Sequence, residues 1–238
     1  MTVGLGFVQL VRDIESRLVE ALGLGPHTIP ADLGRIDGVF RDKPAALEAR
    51  AYGGGSARYA RFVELSSGDL EIGNILIVPR PELPLPVLGV DLVSLGRETA
   101  VVVADLSPVT LDGERRELER AVLERHRASS PSLSEQQSEL PGWASTWFSS
   151  GALCARVPVE RAREAATAVG DFVTAFLELE RECPSDPGGG ERVSARQHEY
   201  CAAHRAEDRG LLLLRRIFQP QRADRFLREV LFPERLPT

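Results

Sequence analysis

A chain of 238 residues, 43% of them hydrophobic, can bury a substantial core as one large domain or two smaller ones. No apolar run reaches the ~20 residues that span a bilayer, and the opening MTVGLGFVQLVRDIESR lacks the order of a secretory signal, so a cytoplasmic chain without membrane contact is expected. The charge of −6 leaves no nucleic-acid footprint, and Cys154, Cys183 and Cys201 form no CxxC pair, which argues against a zinc ribbon, a dithiol centre or a bound iron–sulfur cluster.

Leu5, Val8, Leu10, Val11, Ile14, Leu18 and Leu22 recur mostly at three- and four-residue steps, which predicts an amphipathic helix over 5–22 ended by Gly23, Gly25 and Pro26. A loop is expected next. From residue 58 the pattern changes to short Val-, Ile- and Leu-rich runs over 58–65, 70–78, 87–95 and 99–106, which predict four strands with short connections and hence an antiparallel sheet. A charged helix over 111–127, a polar loop over 128–140 and a strand over 151–157 follow. Long helices are predicted over 161–181 and 194–218, a flexible loop over 184–190 and a short last helix over 222–231. Strands in the middle with helices before and after predict an α/β fold, a sheet covered on both faces without the alternation of a doubly wound fold. No repeat or linker divides residues 1–238, so a single domain is expected.

Some residues stand where a core would not place them. Along 70–78 the strand period puts Asn74 on one face with Leu70, Ile72, Leu76 and Val78, and along 87–95 it puts Asp91 with Val87, Gly89, Val93 and Leu95. An ionised carboxylate among such neighbours finds a partner or has its pKa raised. A carboxylic acid kept protonated near neutral pH is what a proton donor needs, so Asp91 is either catalytic or the centre of a structural network. Glu64, at the end of the first predicted strand, reads by composition as a rim residue. Tyr200, His204, Asp208 and Leu211 share one helical face, where a surface His–Asp pair is the plain alternative to a site. Trp143, Trp147 and Phe148 read as packing residues or as the lining of a flat aromatic ligand.

The glycine runs at 53–55 and 188–190 lack the Lys-Ser/Thr of a phosphate loop and read as loops. Neither GxSxG nor HExxH occurs, so the familiar hydrolase signatures are absent.

The run VPRPELPLPVLGVDLV at 78–93, followed by ADLSP at 104–108, resembles the central motif of the ferredoxin-dependent bilin reductases. LPGW at 140–143 with Phe148 and Ser149 is similar to that family's Leu-Pro-x-Trp segment, and residues 200–209 and 225–232 are similar to its C-terminal helices. The resemblance covers roughly 58–232, in order, with the N-terminal helix unassigned. It implies a three-layer α/β/α sandwich around a central antiparallel sheet, with the bilin held between sheet and C-terminal helices. It implies an oxidoreductase that reduces biliverdin IXα as a monomer, without flavin, nicotinamide or metal. Reduced iron–sulfur ferredoxin supplies single electrons, the bilin carries the radical, and acidic side chains supply protons.

By the same resemblance, Asp91 and Asp208 are the proton donors on opposite sides of the pigment, and Arg209 is the basic residue near a propionate. Arg156 is a second propionate contact, and His204 lies with the substrate. Glu64 corresponds to a catalytic glutamate if the intervening hairpin is two residues shorter, a shift that keeps the side chain on the same face. Asn74 occupies the place of a histidine in the phycocyanobilin-forming branch. Since an amide carries no transferable proton, this implies reduction at the C15 bridge or the A-ring, giving a dihydrobiliverdin- or phycoerythrobilin-type product. The alternatives are a phycocyanobilin-forming reductase, a reductase of a chlorophyll catabolite, and a non-catalytic tetrapyrrole-binding protein.

Overall fold

The computed structural model describes residues 6–68, 70–96, 99–110, 112–128, 133, 138–140 and 142–237. Most of the expected polar loop over 128–140, together with Leu5, Leu111 and Pro141, lies outside them.

The first helix, α1 (Phe7–Ala21), turns Phe7, Val11, Ile14 and Leu18 onto the sheet, as the sequence spacing predicts. The segment after it is not a loop. It forms strand β1 (Gly25–His27), a single helical turn α2 (Ala31–Gly34), and strands β2 (Arg35–Phe40) and β3 (Lys43–Gly54). In β3 the buried positions Ala45, Leu47, Ala49 and Ala51 alternate with more exposed ones. This is a genuine period of two, but its small side chains give little hydrophobic signal. Gly54 and Gly55, both at positive φ, turn β3 into β4 (Ala57–Ser67).

The remaining strands are β5 (Leu70–Pro79), β6 (Val87–Leu95), β7 (Thr99–Ser107) and β8 (Leu153–Pro158). Among the described residues eight strands form one sheet, ordered β1-β3-β4-β5-β6-β7-β8 with β2 also on β3, and every pairing is antiparallel.

Helices cover both faces. On one side α1, α3 (Gly113–Arg127) and α4 (Ala162–Glu182) pack on a core that includes Phe62, Ile75, Ile77, Leu92, Val102, Phe172 and Phe176. On the other, Tyr59, Val63, Leu65, Leu76 and Val78 meet Tyr200, Leu214, Phe226 and Val230 from α5 (Gly190–Glu207), α6 (Gly210–Ile217), α7 (Pro220–Phe226) and a π-helical turn (Leu227–Leu231). The fold is thus an α/β/α sandwich.

The predicted single helix over 194–218 is two helices. Asp208 leaves the helical conformation at φ −67°, ψ 104°, and its carboxylate accepts a 2.7 Å hydrogen bond from the Gly210 amide. A short acidic side chain that bonds its own backbone two residues on competes with the helix ladder, and the chain breaks there.

The C-terminal helices seat on the sheet at Gly38 of β2, where an added Cβ would lie 2.4 Å from the Ile217 carbonyl oxygen and 2.6 Å from the Phe218 ring. Gly38→Ala is therefore expected to destabilise the protein by about 1–3 kcal/mol, read as a lower urea midpoint at unchanged m. Gly170→Ala, in α4 with nothing within 4 Å of its Cβ, serves as the neutral or stabilising control.

Candidate active site

The sheet register aligns chemistry-bearing residues in two rows on the face beneath α5. One row runs Val63, Asn74, Asp91, Val103, Cys154 across β4 to β8, each directly opposite the next. The neighbouring row runs Arg61, Leu76, Gly89, Asp105. Apart from Val63, these rows floor a cavity open to solvent, whose roof is built from Trp143, Phe148, Tyr200, His204, Asp208, Arg209 and Phe232. Gly89 leaves room in the floor, and the Tyr200 hydroxyl would be 3.3 Å from a Cβ placed there.

Arg61 is 1% exposed. Its Nε donates to the Leu231 carbonyl at 2.6 Å, its Nη1 donates to Asn74 Oδ1, and the guanidinium lies over the Phe232 ring at 5.2 Å. Because arginine has only donors, the Asn74 oxygen must face it, so Nδ2 points the other way and donates to Asp91 Oδ1 at 3.2 Å. Burial pushes the Asp91 carboxyl up to about 6, against the Asn74 hydrogen bond and the Arg61 charge and with a further push from Asp208. Burial also raises Asp208, opposed by the Gly210 amide and Arg61.

His204 is the centre of an aromatic cluster rather than a surface partner of Asp208. Its ring stacks on Phe232 at 4.7 Å and meets Trp143 edge-on at 4.9 Å, with Tyr200 at 4.2 Å and Phe148 at 5.9 Å. Burial, helped by the Arg61 charge, pushes it down to about 3, so the imidazole is neutral at any physiological pH. Its buried Nε2 has no partner among the described residues. Arg209 is exposed at the cavity mouth. Arg156 shares the Cys154 face of edge strand β8 but is exposed and outside the cavity lining.

Glu64 does not join them. The register sets Val63, not Glu64, opposite Asn74, and successive strand residues face opposite ways, so Glu64 points under α1. There it is 4% exposed, accepts from Arg12 at 2.9 Å and is paired with Arg50. Arg50 also forks onto Glu15 at 2.7 and 2.9 Å. The expectation that a shortened hairpin keeps Glu64 on the pigment face is thereby corrected.

Sequence reasoning passed over Arg61 and Asp105. Arg61 carries the same signal as Asp91, a charge in phase with the apolar residues Tyr59, Val63 and Leu65. Asp105, also pushed up to about 6 by burial, accepts from the Ser107 hydroxyl at 2.6 Å and from the Ser149 amide at 3.1 Å. It thus ties the segment after Phe148 to the sheet.

This fold and cavity define an α/β/α sandwich with two partly buried acids and a buried arginine around one open cavity. The chain belongs to the ferredoxin-dependent bilin reductase family, which matches residues 11–233, and it is accordingly an oxidoreductase of a family that takes electrons from ferredoxin. The phycocyanobilin:ferredoxin oxidoreductase of Trichodesmium erythraeum is 27% identical over 230 residues, 94% of this chain and 91% of that protein. The Synechococcus sp. enzyme of the same name is 30% identical over 238 residues, with 94% and 92% covered. The fold is similar to that of tomato phytochromobilin synthase in complex with biliverdin, at a TM-score of 0.79 and 16% identity over 95% of this chain and 82% of that one. Among the described residues no helix is long and apolar enough to cross a membrane.

The raised Asp91 carboxyl has a consequence for stability. A native value of about 6 against an ordinary 3.8 means that the contribution of Asp91 to stability is fully present below about pH 4 and is lost as pH rises through 6. Asp91→Asn removes that decline. Relative to wild type, the variant is expected to gain stability from pH 4 to 7, by up to about 3 kcal/mol, in urea denaturation at stepped pH. Asp105 titrates in both proteins and cancels, so a pH-independent difference would contradict the raised value.

Proposed function

We propose that this enzyme reduces biliverdin IXα in the cytoplasm, as a monomer, through bilin radical intermediates, with single electrons from reduced ferredoxin and protons from Asp91 and Asp208. The observation that carries this reading is the pairing of two partly buried acids, both raised by burial, one on the sheet and one on the helix break, across one open cavity lined with aromatic side chains. A pigment lying between floor and roof meets Asp91 from below and Asp208 from above. His204 and its aromatic neighbours offer flat contact surface, and Arg209 is placed for a propionate at the mouth. Arg156, two residues along β8 from Cys154, is the candidate for a propionate that extends beyond the cavity.

Regiochemistry follows from which groups beside the pigment hold a transferable proton. Asn74 holds none, and Glu64 lies behind the sheet in an ion-pair network. The protons therefore go to the C15 bridge or the A-ring, and the D-ring vinyl group survives. The names of the Trichodesmium and Synechococcus relatives favour a second reading, phycocyanobilin as product.

Anaerobic turnover of biliverdin with a ferredoxin-reducing system, followed by chromatography against phycocyanobilin, phytochromobilin, dihydrobiliverdin and phycoerythrobilin standards, separates the two readings. A dihydrobiliverdin- or phycoerythrobilin-type product is expected, and phycocyanobilin as main product would overturn the regiochemical argument. Efficient turnover with NADPH alone would overturn ferredoxin dependence.

Asp91→Asn is expected to keep biliverdin binding and lower turnover by about 10²-fold or more, with a radical accumulating. Asp208→Asn is expected to block or redirect a different protonation. Wild-type rate and product in either variant would return that residue to a structural role.

A further inference from the structure

Two arginines among the described residues are deeply buried with neutral oxygens as their hydrogen-bond partners: Arg58, whose guanidinium makes four bonds, to Ser194, Gln197, Leu236 and Pro237, and Arg61, which lines the cavity. Between α1 and the sheet, Arg12 and Arg50 are neutralised by Glu15 and Glu64 in direct ion pairs. Arg61 is more deeply buried than either, yet the partners it bonds among the described residues are two neutral oxygens, the Leu231 carbonyl and the Asn74 amide. A guanidinium has five N–H donors, and those bonds use two of them. The side chain lines the cavity, and the nearest opposing charges are the acids Asp91 and Asp208, which act on it without a contact. An unpaired buried cation costs the fold several kcal/mol, and a neutral side chain would hold Leu231 and Asn74 at less cost. Arg58 spends its guanidinium on four bonds, so what remains to be explained is a charged side chain that lines the cavity with donors unused.

We propose that Arg61 is a catalytic residue: its guanidinium donates to a lactam oxygen of the bound tetrapyrrole and stabilises the negative charge that arrives with each electron. The inference rests on the proposed reduction of biliverdin and adds to it the group that makes electron entry favourable. When the reduced iron–sulfur centre of ferredoxin gives up one electron, it is oxidised and the conjugated pigment becomes a radical anion, whose charge is shared with its terminal lactam oxygens. The hydrogen bond from Arg61 strengthens as that charge develops. Its donors are fixed in advance by the Leu231 and Asn74 bonds, and preorganisation of this kind makes a desolvated donor effective. The Asp91 O–H bond then breaks as a carbon–hydrogen bond forms on the pigment. The resulting Asp91 carboxylate remains bonded to Asn74, within the field of Arg61, until solvent returns a proton. A second electron and a second proton complete a two-electron reduction, and Arg61 itself gains and loses nothing.

The discriminating experiment compares wild type, Arg61→Gln and Arg61→Lys at two stages. The first is equilibrium binding of oxidised biliverdin, followed by its absorption spectrum. The second is the rate of radical formation when each complex is mixed anaerobically with excess reduced ferredoxin. Arg61→Gln is expected to bind the oxidised pigment within a few-fold of wild type and to take up the first electron about 10²-fold more slowly or worse. Arg61→Lys keeps the charge but loses the fork, so it should recover part of that rate. Pigment binding reports folding, and if Arg61→Gln does not fold the lysine variant still decides, because a residue that only braces Leu231 would change binding rather than the electron-uptake rate. First-electron uptake at the wild-type rate in a pigment-loaded Arg61→Gln protein, or in Arg61→Lys where the glutamine variant does not fold, overturns the role of Arg61 alone. Failure of the wild-type protein to bind or reduce biliverdin overturns the underlying functional reading, and this inference with it.

Discussion

The arrangement of the ligand cavity depends on a guanidinium buried in the face of a sheet with only neutral oxygens as bonded partners. Arg61 reaches the Leu231 carbonyl on one side and the Asn74 amide on the other, so one side chain fastens the C-terminal segment to the floor and sets the direction of a second side chain. Since arginine cannot accept a hydrogen bond, the Asn74 amide has one orientation, and its N–H groups face Asp91. Desolvation raises the Asp91 carboxyl, while Asn74 and Arg61 hold it from rising further. The resulting value near 6 lies where a group can both keep and give up a proton near neutral pH.

The two faces of the sheet treat charge in opposite ways. Under α1, Glu15, Glu64, Arg12, Arg50 and the Tyr52 hydroxyl close a network in which each carboxylate has bonded donors. Glu15 and Glu64 are buried while Arg12 is half-exposed, so removing Arg50 would leave two buried carboxylates short of a partner, and the network fixes where α1 crosses the sheet. Under α5 the charges are held apart and compensation is incomplete. The same kinds of residue thus serve packing on one face and leave chemistry open on the other, and the alternation of adjacent strand residues separates Val63 from Glu64 across that divide.

That divide also sets the limit of what could be read from the residues alone. The period of two was enough to set Asn74 and Asp91 each among apolar neighbours on its own strand, because both interrupt long apolar runs, while their standing opposite each other comes from the pairing of β5 with β6. It was not enough for Glu64, whose face depends on the pairing register with β5, and register is fixed by hairpin length and turn rather than by composition. Strand β3 gives little signal because alanine fills most of its buried positions, and β2 because Ile36 is its one buried residue. Arg61 interrupts the apolar set Tyr59, Val63 and Leu65 as Asp91 interrupts its own, but the charges at Arg58 and Glu64 in the alternate phase of the same short run mask that pattern. Asp208 was legible as a residue of interest but not as a helix terminus, since its cap comes from a hydrogen bond to Gly210 that only the folded backbone reveals.

The helix break bears directly on how two acids divide their work. Had residues 194–218 formed one continuous helix, Asp208 would hang from a regular backbone with freely chosen rotamers. At the break, the Gly210 amide holds one carboxylate oxygen in place and opposes the rise in pKa that burial produces, while Asp91 has a side-chain amide in the same role. A planar pigment slid between them would displace water from both and strengthen desolvation at each carboxyl. Arg61 acts on both acids from the floor and restrains both shifts. The acid joined to it through Asn74 is the one whose carboxylate is better stabilised once its proton has left. In the proposed reaction that asymmetry suits Asp91 to the early protonation, which must follow closely on the first electron, and leaves Asp208 to act from the opposite face.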